Sequence, residues 1–395
     1  MMNSSRSSAL DASVGILCLA LAVLGAGCGP KDGKDEYAEA QQAYSLRNLE
    51  KASELFAKSA ELDPGNADAL VMLARSRLDL GDLAGATDAI AKAQAIVPDD
   101  IDVRELSAQL AWHAKNYDLA REKFLAIAKD GSLEPAVRAQ AYAGLGVVDM
   151  TLGGISSSGS QLWVRDRART EFLQAIALDP RCASARYHLA LVYRDEPFGY
   201  ADAALEQFQF FVRLSTTADP RMQNVQRVVI PALKEEIGAR LASRPGASNR
   251  DSTASAALLK KAEEAWKKST FKTARLRYEE AYKADPLSYP AALGLAKAWE
   301  KTDTTANGMK RAYEYYRAAC QLRAGSVKTL IAAADLAVKL GQHASAADLY
   351  SRAVASSARD ITAIDGLIRS LRKCGNGQSA AVYQKYRDTI PVKRR

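Results

Sequence analysis

The chain has 395 residues, of which 48% are hydrophobic and 25% charged, and its formal net charge is +8. The three histidines are isolated, and no Cys-x-x-Cys pair, His-Glu-x-x-His run, Gly-x-Ser-x-Gly elbow or phosphate-binding loop occurs. The scattered cysteines allow at most one disulfide among Cys182, Cys320 and Cys374. We therefore expect a protein that is not an enzyme and that needs neither a cofactor nor a metal ion.

The first distinctive segment is an apolar run over residues 14–27, followed directly by Cys28 and a charged stretch. The run is too short to cross a bilayer, which takes roughly 20 apolar residues, and it is typical of a secretory signal peptide. The small residues before Cys28 resemble the lipobox of bacterial lipoproteins, although Leu24 lies one place further back than usual. The resemblance implies a cleaved signal over 1–27, acyl chains such as palmitate on Cys28, and a polar tether over 28–35. An ordinary cleaved signal with an incidental cysteine is the alternative.

The rest of the chain has a period near 34 residues, carried by an alanine four positions before a bulky apolar residue. The pairs are Ala52/Phe56, Ala86/Ile90, Ala120/Phe124, Ala168/Phe172, Ala204/Phe208, Ala274/Tyr278, Ala312/Tyr316 and Ala346/Tyr350, with Ala380 after them. This period, with small residues where two helices cross, resembles the tetratricopeptide repeat (TPR) family over residues 36–388, in about nine units. The resemblance implies an all-α solenoid of helix-turn-helix repeats whose stacking builds one continuous core.

Two irregular steps in the period predict how the solenoid is divided. Residues 36–242 are predicted to form block one, with about five repeats and an extra helix interrupted by Pro231. Residues 243–256 are predicted to be a flexible linker, and residues 257–395 to form block two with about four repeats. A Ser- and Gly-rich insertion in block one carries Trp163, which is either an exposed loop contact or a plug over the core.

The charge is divided unequally between the two blocks. Residues 28–242 carry a net charge of −6 and residues 243–395 a net charge of +14. The basic block is expected to attract polyanions, but a secreted lipoprotein does not meet nucleic acid. The remaining candidates are anionic envelope polymers, acidic partner proteins and the acidic block of a second copy, so self-association is one alternative.

The TPR resemblance implies that partners bind on a concave surface lined by the first helix of each repeat. The inward side chains carried over from the family pattern are Tyr37, Gln41, Tyr44, Arg75, Gln109, Trp112, Tyr187, Arg194, Trp266, Lys297, Lys339, Arg369 and Arg372. Aromatic and arginine side chains commonly anchor protein interfaces, although Trp112 and Trp266 could equally be core residues covered by a neighbouring repeat.

Together these patterns predict a lipid-anchored TPR scaffold of the bacterial cell envelope, held in the cell membrane or outer membrane and facing the periplasm. It would bind protein partners and support the assembly or stability of a membrane machine for pilus formation, secretion, export or motility. The alternative is a lipoprotein whose basic block two binds an anionic glycan such as peptidoglycan or lipopolysaccharide.

Overall fold

The computed structural model describes residues 33–155, 162–195, 200–216 and 219–391. The predicted signal peptide, Cys28 and most of the tether lie outside these residues. In the described part of the chain every regular element is a helix and no strand occurs. None of these helices combines the length and the apolarity that crossing a bilayer requires. The all-α prediction is confirmed.

The helices of block one are joined in antiparallel pairs, each with a first and a second helix. The pairs are α1 Lys34–Ser45 and α2 Leu49–Leu62, α3 Ala67–Asp79 and α4 Leu83–Ile96, α5 Ile101–His113 and α6 Tyr117–Lys129, α7 Pro135–Ile155 and α8 Leu162–Leu178, and α9 Ala183–Arg194 and α10 Ala201–Leu214. The extra helix follows as α11 Pro220–Asn224, a π-helical turn Val225–Val229 and α12 Ile230–Ala242.

Block two repeats the same arrangement. Its pairs are α13 Ser252–Lys267 and α14 Phe271–Ala284, α15 Tyr289–Thr302 and α16 Ala306–Leu322, α17 Val327–Lys339 and α18 His343–Ser356, and α19 Ile361–Lys373 and α20 Gly377–Asp388. Because α13 begins at Ser252, the last residues of the segment predicted as a linker are helical. The Ser255 hydroxyl donates to the Ala281 carbonyl at 2.8 Å, which fixes α13 against α14.

The turns within the pairs follow from the sequence at fixed positions. Asn48, Asp82 and Asn116 each accept a hydrogen bond from the backbone N–H three residues later, and so cap a second helix. Gly81 and Gly341 end first helices with positive φ angles of 83° and 73°, a conformation that glycine adopts without steric penalty. The helix-turn-helix unit is therefore specified locally, repeat by repeat.

The predicted alanine–aromatic pairs form the core between the helices. Each alanine of the period and each bulky partner is buried, from Ala52 and Phe56 to Ala346 and Tyr350. In three repeats this aromatic ring lies directly under a glycine of the next first helix. These pairs are Phe124 with Gly144, Tyr278 with Gly294, and Tyr350 with Gly366. A side chain at any of these glycines would overlap with the ring, so the spacing between repeats depends on them.

The two blocks pack against each other through their second helices. Helix α20 lies on α8, and α18 contacts α10, so the outer side of block two covers the outer side of block one. Every residue from Ala168 to Leu173 is buried, which shows that α8 is covered on all sides. One cluster of buried residues extends from Ala139 in block one to Ile390 in block two.

A buried polar cluster lies at the centre of this contact. The Arg169 guanidinium, 1% exposed, donates to Asp166 at 3.1 Å and to the Ser351 hydroxyl at 2.8 Å, and it lies 5.1 Å from the centre of the Tyr383 ring. The Tyr383 hydroxyl donates to Asp166 at 3.0 Å. Burial raises the pKa of Asp166 and Arg169 opposes that shift. The cluster therefore joins α8 to both α18 and α20.

The glycines under the aromatic rings give a stability test. We expect Gly294→Ala to lower the free energy of unfolding by about 1–3 kcal/mol, because the added methyl group overlaps with Tyr278. Gly238→Ala on α12 is the control, since no atom lies within 4 Å of its added methyl group. It should raise stability by up to about 1 kcal/mol through helix propensity. Urea unfolding followed by circular dichroism measures both, and equal effects would contradict the packing argument.

The buried cluster gives a second test, with two tyrosines that differ in their hydroxyl partners. We expect Tyr383→Phe to lower the free energy of unfolding by about 1–3 kcal/mol, because Asp166 loses a buried donor. The Tyr193 hydroxyl is also buried but has no hydrogen-bond partner among the described residues, so Tyr193→Phe should be neutral or stabilising. If thermal unfolding shows the same loss for both variants, the Tyr383–Asp166 bond does not stabilise the contact.

Candidate functional site: the free face of the first helices

The first helices form the free side of each block, because the second helices of repeats 4 and 5 are covered by block two. In block one α3 contacts α5, α5 contacts α7, and α7 contacts α9, so these helices line one surface. The first groove is the surface of block one that lies on the first helices α1, α3, α5, α7 and α9, on the side away from the second helices. The second groove is the corresponding surface of block two, on α13, α15, α17 and α19.

A cavity of about 250 Å³ lies in the first groove between α5, α7 and α9. Its lining residues are Glu105, Gln109, Trp112, His113, Phe124, Gln140, Gly144, Val147 and Ser184. Two of the predicted groove residues, Gln109 and Trp112, therefore lie together. The Trp112 Nε1–H donates to the Thr151 hydroxyl at 3.3 Å, which fixes the indole while leaving it half-buried.

Two polar side chains of this cavity interact with each other. The Gln109 amide donates to Glu105 at 3.2 Å. Burial raises the pKa of the Glu105 carboxyl, and the Arg75 guanidinium lowers it by a smaller amount. A partner that presents a hydrogen-bond donor here would stabilise the half-buried carboxylate. The cavity thus offers an aromatic surface and a directional acceptor side by side.

The other predicted residues at the start of the first groove are held by their neighbours. The Tyr44 hydroxyl donates to Asp79 at 2.7 Å, and Tyr37 packs edge-on against Phe56 with ring centres 5.6 Å apart. A longer ion pair of 3.8 Å joins Arg75 to Asp102 on α5. Gln41 is exposed. The Tyr44 and Arg75 contacts join the first helices of neighbouring repeats.

Tyr187 and Arg194 lie at the far end of the first groove, on α9. Tyr187 is half-buried against Phe211, and the Arg221 guanidinium lies 4.8 Å from its ring centre. Arg194 is exposed and lines a separate cavity of about 240 Å³ with Met150 and Arg165. The predicted groove residues therefore line at least two separate cavities.

In the second groove the predicted basic residues are exposed and the tryptophan is partly covered. Trp266 packs edge-on against Phe271, with ring centres 4.9 Å apart. The basic residues Lys297, Lys339, Arg369 and Arg372 are all exposed. The charge calculated from the sequence is thus accessible on this face.

Trp163 lies on neither groove. It is half-buried on α8, with the Arg167 guanidinium 5.0 Å from its ring centre, and it lines a cavity of about 600 Å³ that α20 closes. The nearby charged residues Arg121, Asp149 and Glu171 form ion pairs beneath this cavity. The repeat period could not predict the surroundings of Trp163, because the contact of α20 with α8 joins repeats that are distant in the sequence.

Sequence reasoning missed the part of the cavity that α7 and α9 contribute. Gly144 and Val147 lie on the long helix α7, and Ser184 lies near the start of α9. The insertions around this repeat obscured its register, so no inward positions were assigned on α7. The signal available in the sequence was Gly144, since glycine within a first helix marks the ring contact described above. Among the described residues no cluster of side chains could hold a metal ion. Cys182, Cys320 and Cys374 are free thiols.

Paired helices stacked around a continuous core, with a free face on the first helices, define an α-solenoid repeat protein. Two stretches of the chain, residues 43–110 and 165–213, match family models described as tetratricopeptide repeat. Over these two stretches the chain is similar to the tetratricopeptide repeat family, and its paired helices have the fold of a TPR α-solenoid, which serves as a protein-interaction scaffold.

Several solved structures are similar to this chain at low sequence identity. PilF of Pseudomonas aeruginosa is 18% identical, with 54% of this chain and 91% of PilF covered and a TM-score of 0.40. The TPR protein TTC0263 of Thermus thermophilus is 20% identical, with 51% and 99% covered and a TM-score of 0.41. MamA of Desulfovibrio magneticus RS-1 is 18% identical, with 48% and 98% covered and a TM-score of 0.36. No curated protein matches the chain.

His188, next to Tyr187 in the first groove, gives a pH test. Burial lowers the pKa of His188 from 6.5 to about 4, although its hydrogen bond to the Ser184 carbonyl opposes this and Arg221 reinforces it. As pH falls below 6.5, the unfolded chain binds the proton first, so the folded state loses about 3 kcal/mol by pH 4. His188→Gln should flatten that part of the curve of unfolding free energy against pH. If the curves of the wild type and of His188→Gln run parallel as the pH falls, the assignment to His188 is wrong.

Proposed function

We propose that this protein is a lipid-anchored TPR scaffold of the bacterial cell envelope that binds a protein partner in the first groove. The observation that carries the proposal is the cavity between α5, α7 and α9, where Trp112 and Gln109 lie together beside the half-buried carboxyl of Glu105. A partner bound there would connect the anchored protein to a larger membrane machine and support its assembly or stability.

The chemistry of the cavity favours a protein ligand. Tryptophan buries a large area with few rotatable bonds, and such residues dominate the affinity of protein interfaces when water is excluded around them. Trp112 is half-buried and held by Thr151, so little side-chain entropy is lost on binding. Gln109 and Glu105 add directional hydrogen bonds beside the apolar surface. An apolar side chain of a partner, flanked by a donor, would fit these groups.

The envelope location is supported by the sequence. The apolar run that ends at Cys28 predicts a processed cysteine bearing acyl chains, and more than one chain is needed for stable anchoring. The tether that follows would hold the first repeats close to the bilayer, facing the periplasm. Binding partners would then be envelope proteins.

A second candidate function is supported by the exposed charge of block two. Lys297, Lys339, Arg369 and Arg372 are all exposed on the second groove. An anionic glycan such as peptidoglycan or lipopolysaccharide core would be attracted there, and its binding would weaken steeply with salt. Binding through the first groove should depend on Trp112 and should respond less to salt.

Site-specific cross-linking from membranes tests the proposal. A photoreactive amino acid at Gln109 should capture a discrete partner, whereas the same probe at Gln94, exposed on the second helix α4, should not. Trp112→Ala should reduce the cross-linked yield about tenfold, as expected for the loss of an anchor worth about 1.4 kcal/mol or more. Cys28→Ala should release the protein from the membrane.

Two results would contradict the proposal. If Gln94 captures the same proteins as Gln109, the first groove is not the binding surface. If Cys28→Ala leaves the protein membrane-bound at its precursor mass, the lipid anchor is wrong. Because block two covers α8, point variants are better than truncations, which would expose that helix to water.

A further inference from the structure

The cavity of about 600 Å³ beside Trp163 lies where α20 of block two meets block one. Its walls come from α6, α7 and α8 of block one and from α20. We call it the junction cavity, because the docking of α20 onto α8 closes one side of it. Cavities of about 300–1,000 Å³ commonly hold small-molecule ligands in proteins. The size of the junction cavity therefore suits such a ligand.

The walls of the junction cavity are aromatic and apolar. Trp163 is half-buried on α8, and the Arg167 guanidinium lies 5.0 Å from its ring centre. Residues four apart share a helix face, so the indole and the guanidinium line the cavity together. Tyr142 on α7 and Val382 on α20 add half-buried surface to the other walls. A flat ring system fits such walls, because aromatic rings stack on indoles and on guanidinium planes.

The floor of the junction cavity is a buried cluster of two arginines and two carboxyl groups. Arg121 donates to Asp149 at 3.1 Å and to Glu171 at 3.2 Å, and Arg167 donates two hydrogen bonds to Asp149. Burial and the adjacent Asp149 carboxylate raise the pKa of Glu171 well above its usual range, although Arg121 and Arg167 oppose the shift. With Glu171 neutral, the charge of Asp149 balances only one of the two guanidiniums. The floor therefore carries a surplus of one positive charge.

Hydrogen-bonding groups at this floor are left for a ligand. Among the described residues, the Nη1 groups of Arg121 and Arg167 donate to no protein atom. Glu171 is only 6% exposed, yet one of its carboxyl oxygens has no hydrogen-bond donor in the same part of the chain. Such buried orphans are rare in native proteins and call for an explanation. Lys129 and Lys385 are exposed at the edge of the cavity and extend its positive charge outwards.

The backbone around the junction cavity favours a small molecule over an extended peptide. All but one of the lining residues lie within α-helices, where most backbone N–H and C=O groups are paired inside the helix. A peptide strand gains much of its affinity from main-chain hydrogen bonds, and this cavity offers it few partners. Recognition here depends on side chains, which suits a compact ligand.

We propose that the junction cavity binds a small, flat aromatic molecule that carries a carboxylate. Its rings stack beside Trp163 and Arg167, and its carboxylate accepts hydrogen bonds from the free Nη1 groups of Arg121 and Arg167. The surplus of one positive charge at the floor favours a monoanion over a phosphate dianion. The site is independent of the proposed scaffold function, because none of the predicted groove residues lines this cavity.

Ligand-detected NMR titrations of the full-length protein with three probes test the inference. 2-Naphthoate has the flat rings and the carboxylate, 2-naphthamide lacks the charge, and decahydro-2-naphthoate lacks the aromatic rings. We expect 2-naphthoate to bind with a dissociation constant of about 1 mM or tighter. Its affinity should exceed that of the amide about tenfold, because the amide loses the charge-assisted hydrogen bonds. It should exceed that of the saturated analogue about threefold, because stacking on Trp163 and Arg167 is lost.

Three variants locate the bound probe. Ala381 is exposed on α20 and lines the cavity, so Ala381→Trp should fill it and weaken 2-naphthoate binding at least about tenfold. Ala239→Trp is the matched control, exposed on α12, and should change the affinity less than about twofold. Trp163→Leu should remove the preference for aromatic rings and keep the preference for a carboxylate over an amide. Thermal unfolding of each variant checks that it is folded.

Four results would overturn the inference. Equal affinities for 2-naphthoate and 2-naphthamide would show that the arginines do not recognise an anion. Equal affinities of Ala381→Trp and Ala239→Trp would show that the probe binds elsewhere on the protein. Tighter binding of 2-naphthyl phosphate would assign the site to a dianion instead of a carboxylate. Absence of binding by 2-naphthoate at several times the expected dissociation constant would show that the cavity is not a site for flat anions.

Discussion

The arrangement of this protein depends on the docking of α20 and α18 onto α8 and α10. Repeats in a solenoid normally contact only their neighbours, so their two faces are both free. Here the Arg169 guanidinium donates hydrogen bonds to Asp166 and Ser351 at the centre of a contact between distant repeats. A buried charge persists only when it is paired and hydrogen-bonded, and that requirement fixes how the blocks meet. This contact covers the second helices α8, α10, α18 and α20 and leaves the first helices of both blocks accessible.

This back-to-back arrangement separates two chemically different surfaces. The first groove combines Trp112 with the half-buried acceptor Glu105, whereas the second groove presents exposed lysine and arginine side chains. The two grooves would favour different partners. A buried apolar anchor contributes mainly to affinity, whereas complementary charges contribute mainly to specificity and to the rate of association.

Most of the fold could be predicted from the sequence because TPR repeats are specified locally. The alanine that allows two helices to cross, the aromatic four residues later and the capping Asn or Asp all act within about 34 residues. The closure of the blocks could not be predicted, because Asp166 and Tyr383 are adjacent only in the folded chain. The candidate site in the first groove could also be predicted only in part. Trp112 and Gln109 were found from the repeat register, whereas Gly144 and Ser184 lie where insertions had disrupted that register.

The docking of α20 and α18 onto α8 and α10 also affects the order in which the chain folds. Within the repeats the helices contact neighbours close in sequence, but Arg169 meets Ser351 across 182 residues, and Asp166 meets Tyr383 across 217. Closing a long loop costs conformational entropy, and this cost is offset only once the contact has formed. Such contacts therefore form more slowly than local ones. Repeats 1 to 3 have no such contact among the described residues and can fold as soon as they are synthesised. The second half of the chain must be complete before α8 is covered, so the nascent protein exposes that helix until its last repeat, with α20, has emerged.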